Sequence, residues 1–458
     1  MSCMLRSLIP LLVVALVLPG VVLAQDSTPE MPDPEAIAQA LIDHLLAGNF
    51  VAASADFSDE VAAALPPEKF EQTWESIIQQ VGPFQEQLGT SREVLDDGST
   101  RVIVTLQFER LAVDALIVID AQGRVTGLFF GQSQSVPAPE PPPYEAPAYV
   151  DPAAFEERDV TITTGDWALP GTLTLPAGEG PFPGVVLVHG SGPNDRDESS
   201  GPNKPFRDLA WGLASQGIAV LRYDKRTLVY GAESAADPQQ ATVRDETIDD
   251  ALTALELLRQ TEGVDPDSVF LLGHSLGGYL APWIASETDD LAGIIIAAGN
   301  TRSLQDLLVE QTEYLLTLDG ELSESDQAQL NEVIALVDTI NGLQPGDQPG
   351  ESLLGAPAAY WLDLSNYQPV ETAQALTLPV LIVQGERDYQ VTMQDFENWR
   401  AGLEDHENVT FISYPNLNHL LMPGEGPASP AEYNLPEHVS EELVNDVAAW
   451  IKTHSRIS

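Results

Sequence analysis

The chain has 458 residues, with 20 Lys+Arg against 70 Asp+Glu, one Cys, 34 Gly and 35 Pro. That length is enough for two or three domains, and 43% hydrophobic residues with a mean hydropathy of −0.06 exclude a disordered chain and a multi-span membrane protein. The net charge of −50 repels phosphate backbones and anionic lipid surfaces, which argues against nucleic acid or a charged membrane as a partner.

The first segment reads as an address. Arg6 is the only charged residue before Asp26, residues 8–23 are almost continuously apolar, and Val22-Leu23-Ala24 offers a small-residue cleavage site. A basic start, a short apolar run and such an end define a secretory signal peptide over 1–24, so a secreted or periplasmic location is expected. Pro10, Pro19 and Gly20 make the segment a poor membrane span, although retention as an anchor stays open. The lone Cys3 lies far upstream of the cut, so no lipoprotein cysteine follows it and the mature chain cannot form disulfides.

A small module is expected over 25–131. Ile37, Leu41 and Leu45 recur every four residues ahead of Gly48, which gives a capped helix, and a second amphipathic stretch covers 67–80. Strands follow at 102–108, 112–119 and 125–130, with turns at Asp96-Asp97-Gly98 and Asp120-Ala121-Gln122-Gly123. Helices followed by a meander make an α+β cone, which resembles the nuclear-transport-factor-like and cystatin-like domains. It carries no cluster of His, Asp or Glu that points to chemistry. Residues 132–149 hold six prolines without apolar periodicity, and a semi-rigid spacer is expected there.

The large module, 150–458, alternates strands and helices. Apolar strand runs fall at 184–188, 218–223, 269–272, 294–298, 380–383 and 409–414. Helical faces lie between and after them, as in Ile248, Ala251, Leu252, Leu255 and Leu258, or Leu443, Val444, Val447 and Ile451. Such alternation gives an α/β fold: a mostly parallel sheet covered on both faces, with chemistry at the carboxyl ends of its strands.

One of those ends carries Gly273-His274-Ser275-Leu276-Gly277-Gly278 between an apolar strand and a helix-compatible stretch. This strand–turn–helix context makes Ser275 a candidate nucleophile. A serine hydroxyl needs a histidine base oriented by a carboxylate. Of seven histidines, only His419 sits just past the end of the last strand. The preceding strand runs into Gln384-Gly385-Glu386-Arg387-Asp388-Tyr389, where Asp388 is the expected acid and Glu386 the alternative. An oxyanion needs two backbone donors, expected from Leu276 and, in the loop His189-Gly190-Ser191-Gly192-Pro193, from Ser191.

With these residues in hand, 150–458 resembles the serine α/β-hydrolases. The strings His189-Gly190-Ser191-Gly192-Pro193-Asn194-Asp195-Arg196-Asp197 and Leu221-Arg222-Tyr223-Asp224-Lys225-Arg226 are similar to those of bacterial secreted carboxylesterases with an N-terminal cone domain. The resemblance implies a Ser275–Asp388–His419 triad, an acyl-enzyme and a cap formed by the insertion at about 300–377, with Tyr360 and Trp361 packing in it or lining the site. Many relatives follow the Lys-Arg pair with Gly, whereas Arg226 precedes Thr227-Leu228-Val229-Tyr230-Gly231, so local substrate contacts are open. The expected activity is hydrolysis of carboxylic esters of small to medium acyl chain. Two readings stay beside it: a peptidase or amidase on the same fold, and a silent binding protein. No metal motif or phosphate loop is present; no cofactor is expected, the reaction needing only water.

Overall fold

The computed structural model describes residues 33–456, apart from 96–97, 134–143, 319, 321 and 348–351. The expected signal segment and most of the expected spacer therefore lie outside the described residues. The chain divides into two compact units, 1–142 and 143–458.

In the first unit, Asp33 caps the helix Pro34–Leu46 by accepting from the Glu35 amide, with proline at the first helical position. Short helices Phe50–Ala53 and Asp59–Ala64 and the longer Pro67–Val81 precede four strands: β1 (Phe84–Val94), β2 (Thr100–Phe108), β3 (Ala112–Ile119) and β4 (Val125–Gln132). These pair antiparallel in chain order. One face of β2 and β3 is apolar, through Val102, Val104, Leu106, Ala115 and Ile117, and it buries Leu41, Leu45, Phe70 and Trp74 of the helices. The strand β1, absent from the sequence expectation, is exposed along nearly its whole length, so no apolar alternation announces it.

The second unit is an eight-stranded sheet: β5 (Phe155–Thr164), β6 (Trp167–Pro176), β7 (Phe182–Val188), β8 (Ala219–Tyr223), β9 (Val264–His274), β10 (Gly293–Ala297), β11 (Val380–Gly385) and β12 (Val409–Tyr414). Their order is β12-β11-β10-β9-β7-β8-β6-β5. The six strands β7 to β12 are mutually parallel, while the hairpin β5–β6 joins β8 antiparallel. That hairpin is also an addition to the sequence expectation.

The central parallel strands β7, β10 and β11 are buried on both faces along nearly their whole length, because their runs are almost wholly apolar, whereas the edge strand β12 is only partly buried. On β7, Val185 and Leu187 face one core and Val186 and Val188 the other. The helices Pro205–Ala214 and Glu441–His454 cover the first face through Phe206, Leu209, Leu213, Leu443 and Val447. Asp249–Arg259, Leu276–Ser286 and Met393–Gly402 cover the second through Leu255, Leu258, Leu280, Ile284 and Trp399. The chain leaves β7 for β8 on one side and returns to β9 on the other, so β7 and β9 flank the point where the winding reverses. Ligand sites in open α/β sheets lie at such a switch.

Between β10 and β11 stand the helices Leu304–Leu316, Glu324–Asn341, Ala358–Ser365 and Pro369–Gln374. Ser323 and Asp326 form a reciprocal capping box at the second of these. Tyr314 stacks on Tyr389 at 5.1 Å, and Gln311 donates to the Gln390 carbonyl at 2.9 Å, which seats this insertion against the loop after β11. Trp361 is core: it is buried and donates to the Leu353 carbonyl. Tyr144 and Tyr149, within the expected spacer, instead pack on this unit, against Trp211 and through a bond to the Val439 carbonyl. Among the described residues no helix is long and apolar enough to cross a membrane.

Candidate active site

Four strand ends converge at the switch point. Val188 on β7 pairs with Gly273 on β9, so the loops that leave those strands start side by side. Ser275 occupies the turn after β9 with φ 53 and ψ −118, a conformation rarely taken by a residue with a side chain. Such a turn costs about 1–3 kcal/mol and persists only where its surroundings over-determine it. Here they do. A Cβ on Gly273 would lie 2.1 Å from the Gly277 carbonyl oxygen, and one on Gly277 would lie 2.2 Å from that of Val188. The glycines permit the helix Leu276–Ser286 to start against β7, and the Ser275 amide is held by the Ala297 carbonyl at 2.9 Å. Ser275 is partly exposed between buried neighbours. Leu276 begins the helix, where amides lack an intrahelical acceptor.

Asp388 and His419 meet across the ends of β11 and β12. His419 Nδ1–H donates to Asp388 Oδ2 at 2.7 Å, with both residues buried. The Asp388 carboxylate also accepts from Gln384 Nε2 at 3.0 Å and from the Gln390 and Val391 amides at 2.8 and 3.0 Å. With its Nδ1 proton committed, a neutral His419 presents an unprotonated Nε2. Glu386, the alternative acid, turns elsewhere and accepts from Ser413 Oγ at 2.8 Å. His419 lies against the residue before Ser275: its carbonyl accepts from His274 Nε2 at 2.8 Å, and the two rings stand 4.8 Å apart.

The loop after β7 brings Gly190 against the serine, since a Cβ on Gly190 would stand 3.1 Å from Ser275 Cβ and 3.6 Å from its Oγ. The Gly190 amide donates to Glu198 Oε1 at 2.6 Å. Its carbonyl accepts from Lys225 Nζ at 2.8 Å and from Asn194 Nδ2 at 3.1 Å. The exposed Ser191 amide has no acceptor among the described residues.

Charge is concentrated beneath this loop. Glu198 Oε2 makes an ion-pair contact of 3.0 Å with His274 Nδ1 rather than an aligned hydrogen bond. Burial opposes both charges, but their mutual attraction wins: the Glu198 carboxyl is held below the usual glutamate range, and the His274 imidazolium is favoured beyond the usual histidine range. Burial pushes His189 the other way, down to about 4, so it is a neutral ring packed against Phe206 and Tyr223. On the far side Lys225 pairs with Glu246 at 2.8 Å, and Tyr360 Oη–H donates to Glu246 Oε2 at 2.7 Å.

The structure thus brings Asp388 to His419, His419 to the turn of Ser275, and the Ser191 loop to Ser275. Sequence reasoning passed over Glu198, Lys225 and Glu246. Lys225 carries two signals: it stands in the string Leu221–Arg226 that bears the resemblance, and it is one of four lysines in a very acidic chain, two residues past a buried strand. Glu198 and Glu246 have none, because their charged partners, His274 and Lys225, are distant in the chain. The segment after Arg226, whose departure left substrate contacts open, forms a short helix, Arg226–Tyr230, with Tyr230 bonded to both polar atoms of the Ala168 backbone.

Comparison with known proteins agrees with this architecture. Residues 38–128 match a family described as a protein of unknown function (DUF3887), and residues 185–434 match the alpha/beta hydrolase family. Esterase EstD of Thermotoga maritima is 40% identical over 410 residues, which cover 90% of this chain and 93% of that protein. Peroxisomal succinyl-coenzyme A thioesterase of Mus musculus is 23% identical over 291 residues, 62% of this chain and 59% of that protein. Among solved structures, Est1E from Butyrivibrio proteoclasticus aligns with a TM-score of 0.42 and 17% identity, over 64% of this chain and 99% of that one. On the family match and the Thermotoga maritima relative, this chain belongs to the alpha/beta hydrolase family.

Proposed function

We propose that this hydrolase is a secreted serine esterase that cleaves carboxylic esters of small to medium acyl chain. The observation that carries the reading is the buried 2.7 Å bond between His419 and Asp388 beside the strained turn of Ser275. The esterase named among its relatives supports the substrate class. The apolar leader pattern over 8–23 supports export. The insertion seated against the loop after β11 supports a capped acyl pocket of limited length.

In this reading Ser275 Oγ attacks the ester carbonyl while His419 Nε2 takes its proton. Asp388, bonded to His419 Nδ1, stabilises the imidazolium. The carbonyl oxygen becomes an oxyanion held by the Leu276 and Ser191 amides, a contribution of about 3–4 kcal/mol per donor. Collapse breaks the bond to the alcohol oxygen, which leaves with the proton from His419, and Ser275 carries the acyl group. A water then attacks, giving its proton to His419. The second collapse releases the acid, and Ser275 regains the proton.

The test is turnover of p-nitrophenyl acetate, butyrate and octanoate by the chain from Gln25 onward, beside Ser275→Ala. The expected result is turnover that falls as the acyl chain lengthens and drops by at least about 10⁴-fold in the variant. Turnover undiminished in Ser275→Ala would overturn the reading.

A further inference from the structure

The Ser191 amide can serve an oxyanion only if its peptide plane is fixed, because a loop donor free to rotate loses its direction and its value. That plane is the one joining Gly190 to Ser191, and it contains the Gly190 carbonyl and the Ser191 N–H. The bond is trans, since the one cis peptide among the described residues is Gly180-Pro181. In a trans peptide the two groups point in opposite directions. Whatever grips the Gly190 carbonyl therefore aims the Ser191 N–H.

The grip is a buried ammonium. Lys225 Nζ lies 2.8 Å from the Gly190 oxygen, with its side chain only 2% exposed. A neutral donor would satisfy a carbonyl with less desolvation, and a buried cation is costly unless paired. This one is paired with Glu246, which is itself held by Tyr360 from the insertion between β10 and β11. A cation on the carbonyl side also polarises the peptide, which strengthens the N–H on the other side as a donor. The next amide back, that of Gly190, is fixed separately by Glu198.

We infer that Lys225 is a positioning residue of the oxyanion hole, which acts through the Gly190 carbonyl to aim and polarise the Ser191 N–H, with Glu246 and Tyr360 holding the ammonium in place. This rests on the reading of Ser191 given under Proposed function. The competing account is that Lys225 merely neutralises Glu246 in a buried pocket.

The experiment compares the full chain, Lys225→Met, the double variant Lys225→Met with Glu246→Gln, and Ser275→Ala on p-nitrophenyl butyrate. Each is also titrated with an alkyl trifluoromethyl ketone, which forms a tetrahedral adduct, and with butyrate, which does not. If Lys225 aims the donor, both Lys225 variants lose about 10- to 100-fold in kcat, below the about 10²–10³-fold cost of deleting such a donor outright. KM and butyrate affinity stay within about threefold, because the group acts on the transition state. Ketone affinity falls by the same factor as kcat. Removing the Glu246 charge as well avoids stranding an unpaired carboxylate, so the double variant remains testable if the single one does not fold. Recovery of kcat and ketone affinity in the double variant would overturn the proposal and leave charge balance as the role of Lys225. Undiminished turnover in Ser275→Ala would instead bring down the underlying reading, and this proposal with it.

Discussion

The two loops that meet at the switch point are held by different physics. The turn of Ser275 is held by backbone against backbone: its glycines pack where no Cβ fits and the Ser275 amide bonds the Ala297 carbonyl, while the nearest charged contact, Glu198 with His274, falls on the side chain of the residue before it. The Gly190–Ser191 loop is held by side chains, with Glu198 on one amide and Lys225 and Asn194 on one carbonyl. The first device is steric and indifferent to pH and salt. The second is electrostatic, so its strength depends on which groups are charged. A nucleophile needs a single rigid position. A hydrogen-bond donor needs direction and polarisation, and buried charge supplies both.

Gly277→Ala should break the comparison most severely. Its methyl would collide with the Val188 carbonyl oxygen, a contact between two backbones that cannot move apart without parting β7 from the helix of Ser275. The expected cost is at least about 3 kcal/mol of stability, read by chemical unfolding, with esterase turnover lost in proportion or beyond it. Full stability in this variant would show that the turn is not held by close backbone approach.

Glu198→Gln should sharpen the electrostatic half. Glutamine can still accept from the Gly190 amide, but a neutral acceptor is weaker by about 1 kcal/mol, which corresponds to roughly a five- to tenfold fall in kcat. The stability change carries a sign that can be worked out. His274 is raised by Glu198, so its contribution is fully present below the ordinary histidine pKa and is lost as pH rises through its raised value. Glu198 is lowered, so its contribution is present above the ordinary glutamate pKa and is lost as pH falls through its lowered value. The gap in melting temperature between native protein and variant should be widest near about pH 6 and should narrow toward both about pH 9 and about pH 3. A gap constant with pH would mean that Glu198 and His274 do not stabilise each other's charge.

Asn194→Ala should have the smallest effect. It removes a neutral bond to a carbonyl that Lys225 also holds, so a loss of about two- to fivefold in kcat is expected, with unchanged pH dependence of stability. An effect as large as that of Lys225→Met would mean that the amide, rather than the ammonium, sets the loop.

Much of the fold was legible because burial writes itself locally. Runs such as Val269-Phe270-Leu271-Leu272 are apolar at every position, and a strand buried on both faces requires that. The strands that went unread lie where this rule relaxes. In β5 four consecutive residues, Glu156, Glu157, Arg158 and Asp159, are charged and exposed on both faces, and β1 is almost wholly exposed. The hairpin β5–β6 did carry a signal in Gly165-Asp166, the two-residue turn between its strands, with Gly165 at φ +59. Residues 144–149 read as spacer from Pro147 and the prolines before it, but Tyr144 packs its ring on Trp211 and the Tyr149 hydroxyl donates to the Val439 carbonyl.

By itself the sequence determined the alternation of strands and helices, the glycine-lined turn at Ser275, and the placing of Asp388 and His419 just past strand ends. These are local facts, set by side-chain periodicity and backbone sterics within a few residues. Tertiary structure alone decided that Glu386 turns to Ser413 while Asp388 turns to His419, and that Glu198, Lys225, Glu246, His274 and Tyr360 gather around one peptide. A buried charge must find its partner wherever the folded chain puts one, and that depends on sheet order and strand register, which no short stretch of sequence contains.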